Sequence, residues 1–194
     1  MAAYRKVPIR DLETARLRLR PIEIGDAPRV QTLIDNFNVV RYLSVAIPWP
    51  YPPDGAETYL SSELPGMARQ EKYLWAITLR ERPEEGLIGL IGLFPDADEE
   101  HRGFWLGEPY WRQGYMREAV IAVNDFAFDE LGMTELLLSN AEPNAGSHRL
   151  KESMGAEIVS VTDGEFIGGT FPNVRWRLTA DAWRQYRTAE SPKA

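Results

Sequence analysis

The chain has 194 residues, 44% of them hydrophobic, with a formal net charge of −7 and no cysteine. That length suits one well-buried core, and the acidic balance argues against a general nucleic-acid binder. Without cysteine there is no disulfide, thiolate metal site or cysteine nucleophile, and with just His101 and His148 a histidine-rich metal centre is not expected.

Along residues 12–20, Leu17 and Leu19 alternate with Arg16, Arg18 and Arg20, the two-residue period of a half-exposed strand that Pro21 ends. Asp26 is placed to cap a helix carrying Val30, Leu33 and Ile34 on one face, closing near Asn36. A short second helix over 39–43 leads into a proline-rich segment, 47–53, unsuited to helix or central strand. Asp54 can cap a third helix running to Leu64.

Strands follow at 73–79, 87–94 and 101–106, the last two flanking an acidic loop over 95–100. From Arg117, the set Val120, Val123, Phe126, Ala127 and Leu131 recurs at helical spacing, with Gly132 suited to the C-terminal cap. A strand at 135–138, a helix at 144–154 capped by Gly155, and strands at 156–161 and 174–178 complete the pattern. Thr179 caps a terminal helix with Trp183 and Tyr186, and the last residues should fray. This order predicts an α+β (α/β-like) single domain spanning 1–194, core about 8–187, around one mixed sheet.

The run Tyr110-Trp111-Arg112-Gln113-Gly114-Tyr115-Met116 sits between the strand Gly103-Phe104-Trp105-Leu106 and an amphipathic helix. A glycine turn there presents backbone N–H groups and the positive end of a helix dipole to a phosphate. Further on, Asn144-Ala145-Gly146-Ser147-His148-Arg149-Leu150 opens a second helix.

With Glu13 to Pro21 and the glycine-rich run Gly86 to Leu93, these segments resemble the GNAT superfamily of N-acetyltransferases, RimJ/RimL type, over residues 8–187. The resemblance implies a mostly antiparallel twisted sheet flanked by helices, with splayed central strands. It implies acetyl-CoA as acyl donor, with pantetheine lying between Phe104, Trp105 and Leu106 on one side and the strand 136–139 on the other. The backbone of Trp111, Arg112, Gln113, Gly114, Tyr115 and Met116 would hold the pyrophosphate. Asn144 and Ser147 would contact the cofactor, and Ser147 could donate to the thioester sulfur or the departing thiolate.

The chain departs from the family at three points. Met116 stands where a small residue is usual, Lys151 where many members carry the tyrosine that protonates the thiolate, and His101 where a glutamate is frequent. His101, which titrates near neutrality, is then the candidate general base, unless it is an exposed histidine at a strand start. Glu99, Glu100 and Glu108 are alternative carboxylates in what reads as a solvated loop. Asn144 is equally a plain helix N-cap. Trp49 and Tyr51 are candidates for the wall of an amine pocket, or for pinning their loop to the core.

The expected activity is acetyl transfer to a primary amine, a protein N-terminus or a small molecule. The alternative is a non-catalytic acyl-CoA-binding scaffold that keeps the fold. No stretch reaches the ~20 apolar residues of a membrane span, so a cytoplasmic protein without metal, membrane or nucleic-acid partner is expected. Self-association into a homo-oligomer is compatible with all of this.

Overall fold

The alternating leucines and arginines near the N-terminus form a hairpin. Strands β1 (Leu12–Glu13) and β2 (Leu17–Pro21) pair antiparallel, with Leu12 opposite Leu19. The single strand expected over 12–20 is interrupted because the Thr14 amide donates to the Leu17 carbonyl (3.0 Å) and the Thr14 hydroxyl accepts from the Leu17 amide (2.9 Å). Leu17 and Leu19 are fully buried, as the alternation requires. The structure, a computed structural model, describes residues 4–190; the fraying expected at the C-terminus concerns positions outside the described residues.

Strands β3 (Tyr73–Leu79), β4 (Leu87–Leu93) and β5 (Arg102–Leu106) extend the hairpin into a five-stranded antiparallel sheet in the order β1-β2-β3-β4-β5. β3 and β4 are buried along their whole length. A helix therefore covers each face of the sheet centre: α1 (Ala27–Ile34) packs on β4, and α4 (Tyr115–Asp125) packs on β1, β2 and β4. A Cβ at Gly89 would stand 2.5 Å from the Trp105 carbonyl oxygen, so glycine lets β4 and β5 close on each other there.

A second, three-stranded antiparallel sheet has the order β6-β8-β7, built from β6 (Glu135–Ala141), β7 (Glu157–Phe166) and β8 (Gly169–Thr179). The mixed, mostly antiparallel sheet with splayed central strands takes this form: two antiparallel sheets whose edge strands β5 and β6 face one another. α5 (Ala145–Ser153) follows β6, and α6 (Ala180–Glu190) closes the described chain with Trp183 buried and its indole N–H on Asp125 at 3.0 Å.

Several boundaries differ from the sequence pattern for identifiable reasons. Asp26 does not cap α1; its carboxylate accepts from both Arg20 guanidinium nitrogens (2.8 and 2.5 Å) and from the Glu23 amide (2.9 Å). Asp54 makes no side-chain cap either, and the helix it precedes, α3 (Gly55–Ala68), runs on past Pro65 because Gly66 and Met67 are buried beyond it. The short helix α2 (Phe37–Val40) begins earlier than expected, since the Asn36 side chain accepts from the Asn38 amide (2.9 Å). The β7–β8 hairpin is longer than the apolar alternation suggested: β7 is exposed nearly throughout and offers no buried face to read.

Candidate functional site

His101 and Leu137 join the two sheets. The His101 amide donates to the Leu137 carbonyl (2.8 Å), and the Leu137 amide donates to the His101 imidazole Nδ1 (2.8 Å). Beyond this contact the strands separate. β5 is the last strand of one sheet and β6 the first of the other, so each turns an unpaired row of backbone groups to the gap.

A cavity of about 990 Å³ opens between them, lined by Gly103, Phe104 and Trp105 of β5, Ser139 and Asn140 of β6, and Ser147 and Lys151 of α5. On the far side Tyr42, Tyr51 and Tyr59 line it, together with Asp54, Glu63 and Glu165. One flank is closed by the chain itself: Ser44 bridges to Phe166, and the amides of Ile167 and Gly168 donate to the carbonyls of Leu43 (3.1 Å) and Arg41 (2.8 Å).

At the end of β5 the chain makes the turn into α4. Two residues there occupy the left-handed region, Arg112 at φ 60° and Gly114 at φ 80°, and Gly114 is the helix N-cap. Arg112, Gln113 and Gly114 are exposed, whereas Tyr115 is buried. The first amides of α4 have no carbonyl partner within the helix, as at any helix N-terminus. Arg16 braces the turn: it donates to the Gln113 carbonyl (2.9 Å), pairs with Glu118 (2.7 Å) and lies 4.7 Å over the Tyr115 ring. The Trp111 indole donates to the Leu106 carbonyl (2.6 Å), so its side chain fixes the turn. Met116 is half-buried and packs on the core.

Asn144 is the N-cap of α5, its side chain accepting from the Ser147 amide at 3.2 Å. That orientation leaves Ser147 buried but lining the cavity. One turn later Lys151, 3% exposed, donates from Nζ to Ser147 Oγ at 2.6 Å. Opposite lie Glu100, just before β5, and Arg102, which is fully enclosed and bonded to Asn124 of α4. Burial lowers the Lys151 pKa to about 7, with Arg102 pushing the same way and Glu100 against it. Glu100 is raised by burial, an effect moderated by Lys151, by hydrogen bonds to Ser139 and by Arg102. Glu100 as a whole residue is exposed and lines the cavity.

The sequence candidates thus separate. Phe104, Trp105, Ser147 and Tyr51 meet at the cavity, and Leu106 leads from it to the turn. His101 does not line it: its imidazole is spent as an acceptor for Leu137, and burial lowers its pKa. Trp49 also lies outside, 37% exposed and packed on Phe37 with ring centroids 5.8 Å apart. His148 packs edge-on to Trp176 at 4.7 Å. Glu108 is engaged by the side chains of Asn36 (2.7 Å) and Asn38 (3.0 Å), and Glu99 by Arg175 (2.8 Å). Glu100, named as one of three alternative carboxylates, and Lys151, named as a departure from the family, are the two charged groups that meet at the cavity beside Ser147. A charged residue at the buried i+4 position from Ser147 was the available signal.

The acetyltransferase (GNAT) domain family matches residues 16–157. A curated relative, the uncharacterized N-acetyltransferase YoaA of Bacillus subtilis (strain 168), is 30% identical over 150 residues, 74% of this chain and 81% of its own. Among solved structures, a ribosomal-protein-S5-alanine acetyltransferase from Vibrio fischeri superposes with TM-score 0.74 at 15% identity, covering 89% of this chain and 98% of that one. RimL, a ribosomal L7/L12 α-N-protein acetyltransferase solved with coenzyme A, gives TM-score 0.74 at 14% identity, with 89% and 99% covered.

Proposed function

This chain belongs to the GNAT acetyltransferase family, and from that premise we propose that its cavity carries acetyl-CoA-dependent acetylation of a primary amine, with Glu100 as base. The observation that supports it is the gap between the free edges of β5 and β6, with the exposed left-handed turn at Arg112–Gly114 at one end and Ser147 at the other. A pantetheine arm carries amides and adds to a free strand edge as another strand would. The amides that follow Gly114 would receive the pyrophosphate.

The chemistry has three demands: a neutral amine, hydrogen-bond donors for the developing oxyanion, and an exit for the thiolate. Backbone donors on the unpaired edge of β5 serve the second. Glu100, its carboxyl raised above the ordinary value by burial, takes the proton of the incoming ammonium directly or through one water. The walls of Tyr42, Tyr51 and Tyr59 suit a cation by their ring faces, and Asp54 and Glu165 by charge, whereas Glu63 is already paired with Lys72 at 3.0 Å. Two solved neighbours act on ribosomal proteins, one of them by name on an α-amine. An α-amine has a pKa near 8, against about 10.4 for lysine, and needs less help from a base. We take a protein N-terminus as the acceptor, in a cytoplasmic setting.

Release of free CoA thiol from acetyl-CoA, measured across small amines and N-terminal peptides, tests this. Turnover with at least one peptide N-terminus is expected. Thermal stabilisation by acetyl-CoA with no thiol released by any amine would reduce the protein to a binder of the cofactor; neither effect would sink the site as well.

A further inference from the structure

Lys151 is the unexpected group in the cavity. It sits on α5 one turn beyond Ser147 and is almost completely enclosed, yet no carboxylate lies within ion-pair distance of it among the described residues. Its ammonium has three N–H donors and one protein acceptor, Ser147 Oγ at 2.6 Å. The Phe104 ring lies 5.7 Å away on the other side. A lysine kept for stability alone would be poorly served by this surrounding, since burying a cation with a single hydroxyl partner is costly. It is well suited to a lysine that gains and loses a proton.

We propose that Lys151 and Ser147 form a proton relay that protonates the departing CoA thiolate, the lysine supplying the proton and the serine hydroxyl passing it on. The inference rests on the acetyltransferase reading of the cavity. As the C–N bond forms and the C–S bond breaks, the electron pair of the C–S bond goes to sulfur. Sulfur takes the Ser147 hydroxyl proton, and Oγ takes one from Lys151 Nζ. The proton that Glu100 took from the ammonium has by then left through cavity water, and the second one, lost by the nitrogen as the C–N bond forms, goes to the emptied Glu100 carboxylate. Glu100 then returns a proton to Lys151 through cavity water, so that the enzyme is restored and one proton has passed from nitrogen to sulfur.

The charges around the lysine fit this cycle. Ser147 faces it from α5 itself, Phe104 and the Arg102 guanidinium from β5, the Glu100 carboxylate from two residues before β5, and Ser139 from β6 beside Glu100. Burial and Arg102 weaken the hold on the proton, and Glu100 keeps it from being lost outright. A pKa of about 7 leaves both forms populated at the working pH, as a donor that must be reloaded each turn requires. In this arrangement Ser147 touches the reacting sulfur, and Lys151 is a positioning residue that acts through it.

The test is a pH profile of kcat with saturating acetyl-CoA and an acceptor amine of low basicity, whose own deprotonation is complete across the range. The wild type should lose turnover as pH rises through about 7, because the acid form of Lys151 is lost there. Lys151→Met should lower kcat about a hundredfold, flatten that alkaline limb and leave the KM for acetyl-CoA nearly unchanged. Lys151→Tyr should recover much of kcat and move the limb to about pH 10.

A Lys151→Met protein that is folded by its melting curve and keeps both kcat and the alkaline limb overturns the relay while leaving the acetyltransferase standing. Absence of turnover in the wild type strikes the acetyltransferase instead. Should the methionine variant not fold, 13Cε-lysine NMR of the wild type decides: the chain has four lysines, and one must titrate near neutrality. Four signals titrating near 10 would overturn the inference.

Discussion

The His101 imidazole takes the place of a backbone carbonyl opposite Leu137. Its Nδ1 accepts the amide proton that a continuing strand would have accepted, at 2.8 Å. The ladder between the two sheets is therefore ended by a side chain, and the gap begins at that point. His101→Leu should leave the Leu137 amide unpaired and cost about 1–3 kcal/mol. Melting should fall by several degrees, while turnover per folded molecule stays within about twofold of wild type. A large loss of kcat at unchanged melting temperature would restore His101 as base and displace Glu100.

Protonation should act on the same contact. Burial lowers the His101 pKa in the fold, so the unfolded chain binds a proton that the native one refuses. The stability due to this group is present above the ordinary histidine range and should decline as pH falls through about 6.5. Urea midpoints between pH 5 and 8 would show it, and His101→Leu should remove the slope.

Lys151 has the same sign at higher pH. Its folded pKa of about 7 lies below the free value of 10.5, so between those values the unfolded state holds the extra proton. Stability should rise with pH through that window, and Lys151→Met should both abolish the rise and raise the midpoint at pH 7. A wild-type curve flat between pH 7 and 10 would contradict the buried, proton-shedding amine.

Gly114→Glu should abolish acetyl-CoA binding in calorimetry. The substitution places a carboxylate at the head of α4 and forces a side chain onto a backbone at φ 80°. Gly114→Ala separates the two effects: it carries the strain without the charge and should bind with intermediate affinity. Equal affinity for glutamate and wild type would move the anion site elsewhere.

Glu100→Gln should reduce kcat by about a hundredfold with little change in acetyl-CoA affinity. Because the amide cannot accept a proton, the acidic limb of the pH profile should vanish with it. A variant that retains the limb would show that another group takes the proton.

Much of the fold was legible because its determinants are local. Leu17 and Leu19 alternate and are buried; Asn144 precedes a helix and caps it; Gly114 stands where only a left-handed residue fits. The site was less legible because it is assembled across the two sheets. Glu100 read as part of a solvated acidic loop, and nothing in its neighbours 95–99 reveals that Lys151, fifty-one positions on, faces it. His101 offered the right chemistry at the right place in the chain, but its imidazole is taken up as the acceptor of the Leu137 amide. Asp26 and Asp54 carried cap signatures that were not used, the first because Arg20 offers a stronger partner. Pairings between distant residues are not written in the spacing of either.

Two free edges facing across a gap also change what a substrate is to this protein. A pantetheine arm seated between β5 and β6 would be a keystone: it would supply the contacts that the two sheets lack beyond His101 and Leu137, and share the load of holding them in line. Each catalytic cycle would then take out a structural member and put in another. Rigidity of the molecule would follow the supply of acyl donor, with hydrogen exchange along both edges slowing and quickening as the keystone comes and goes.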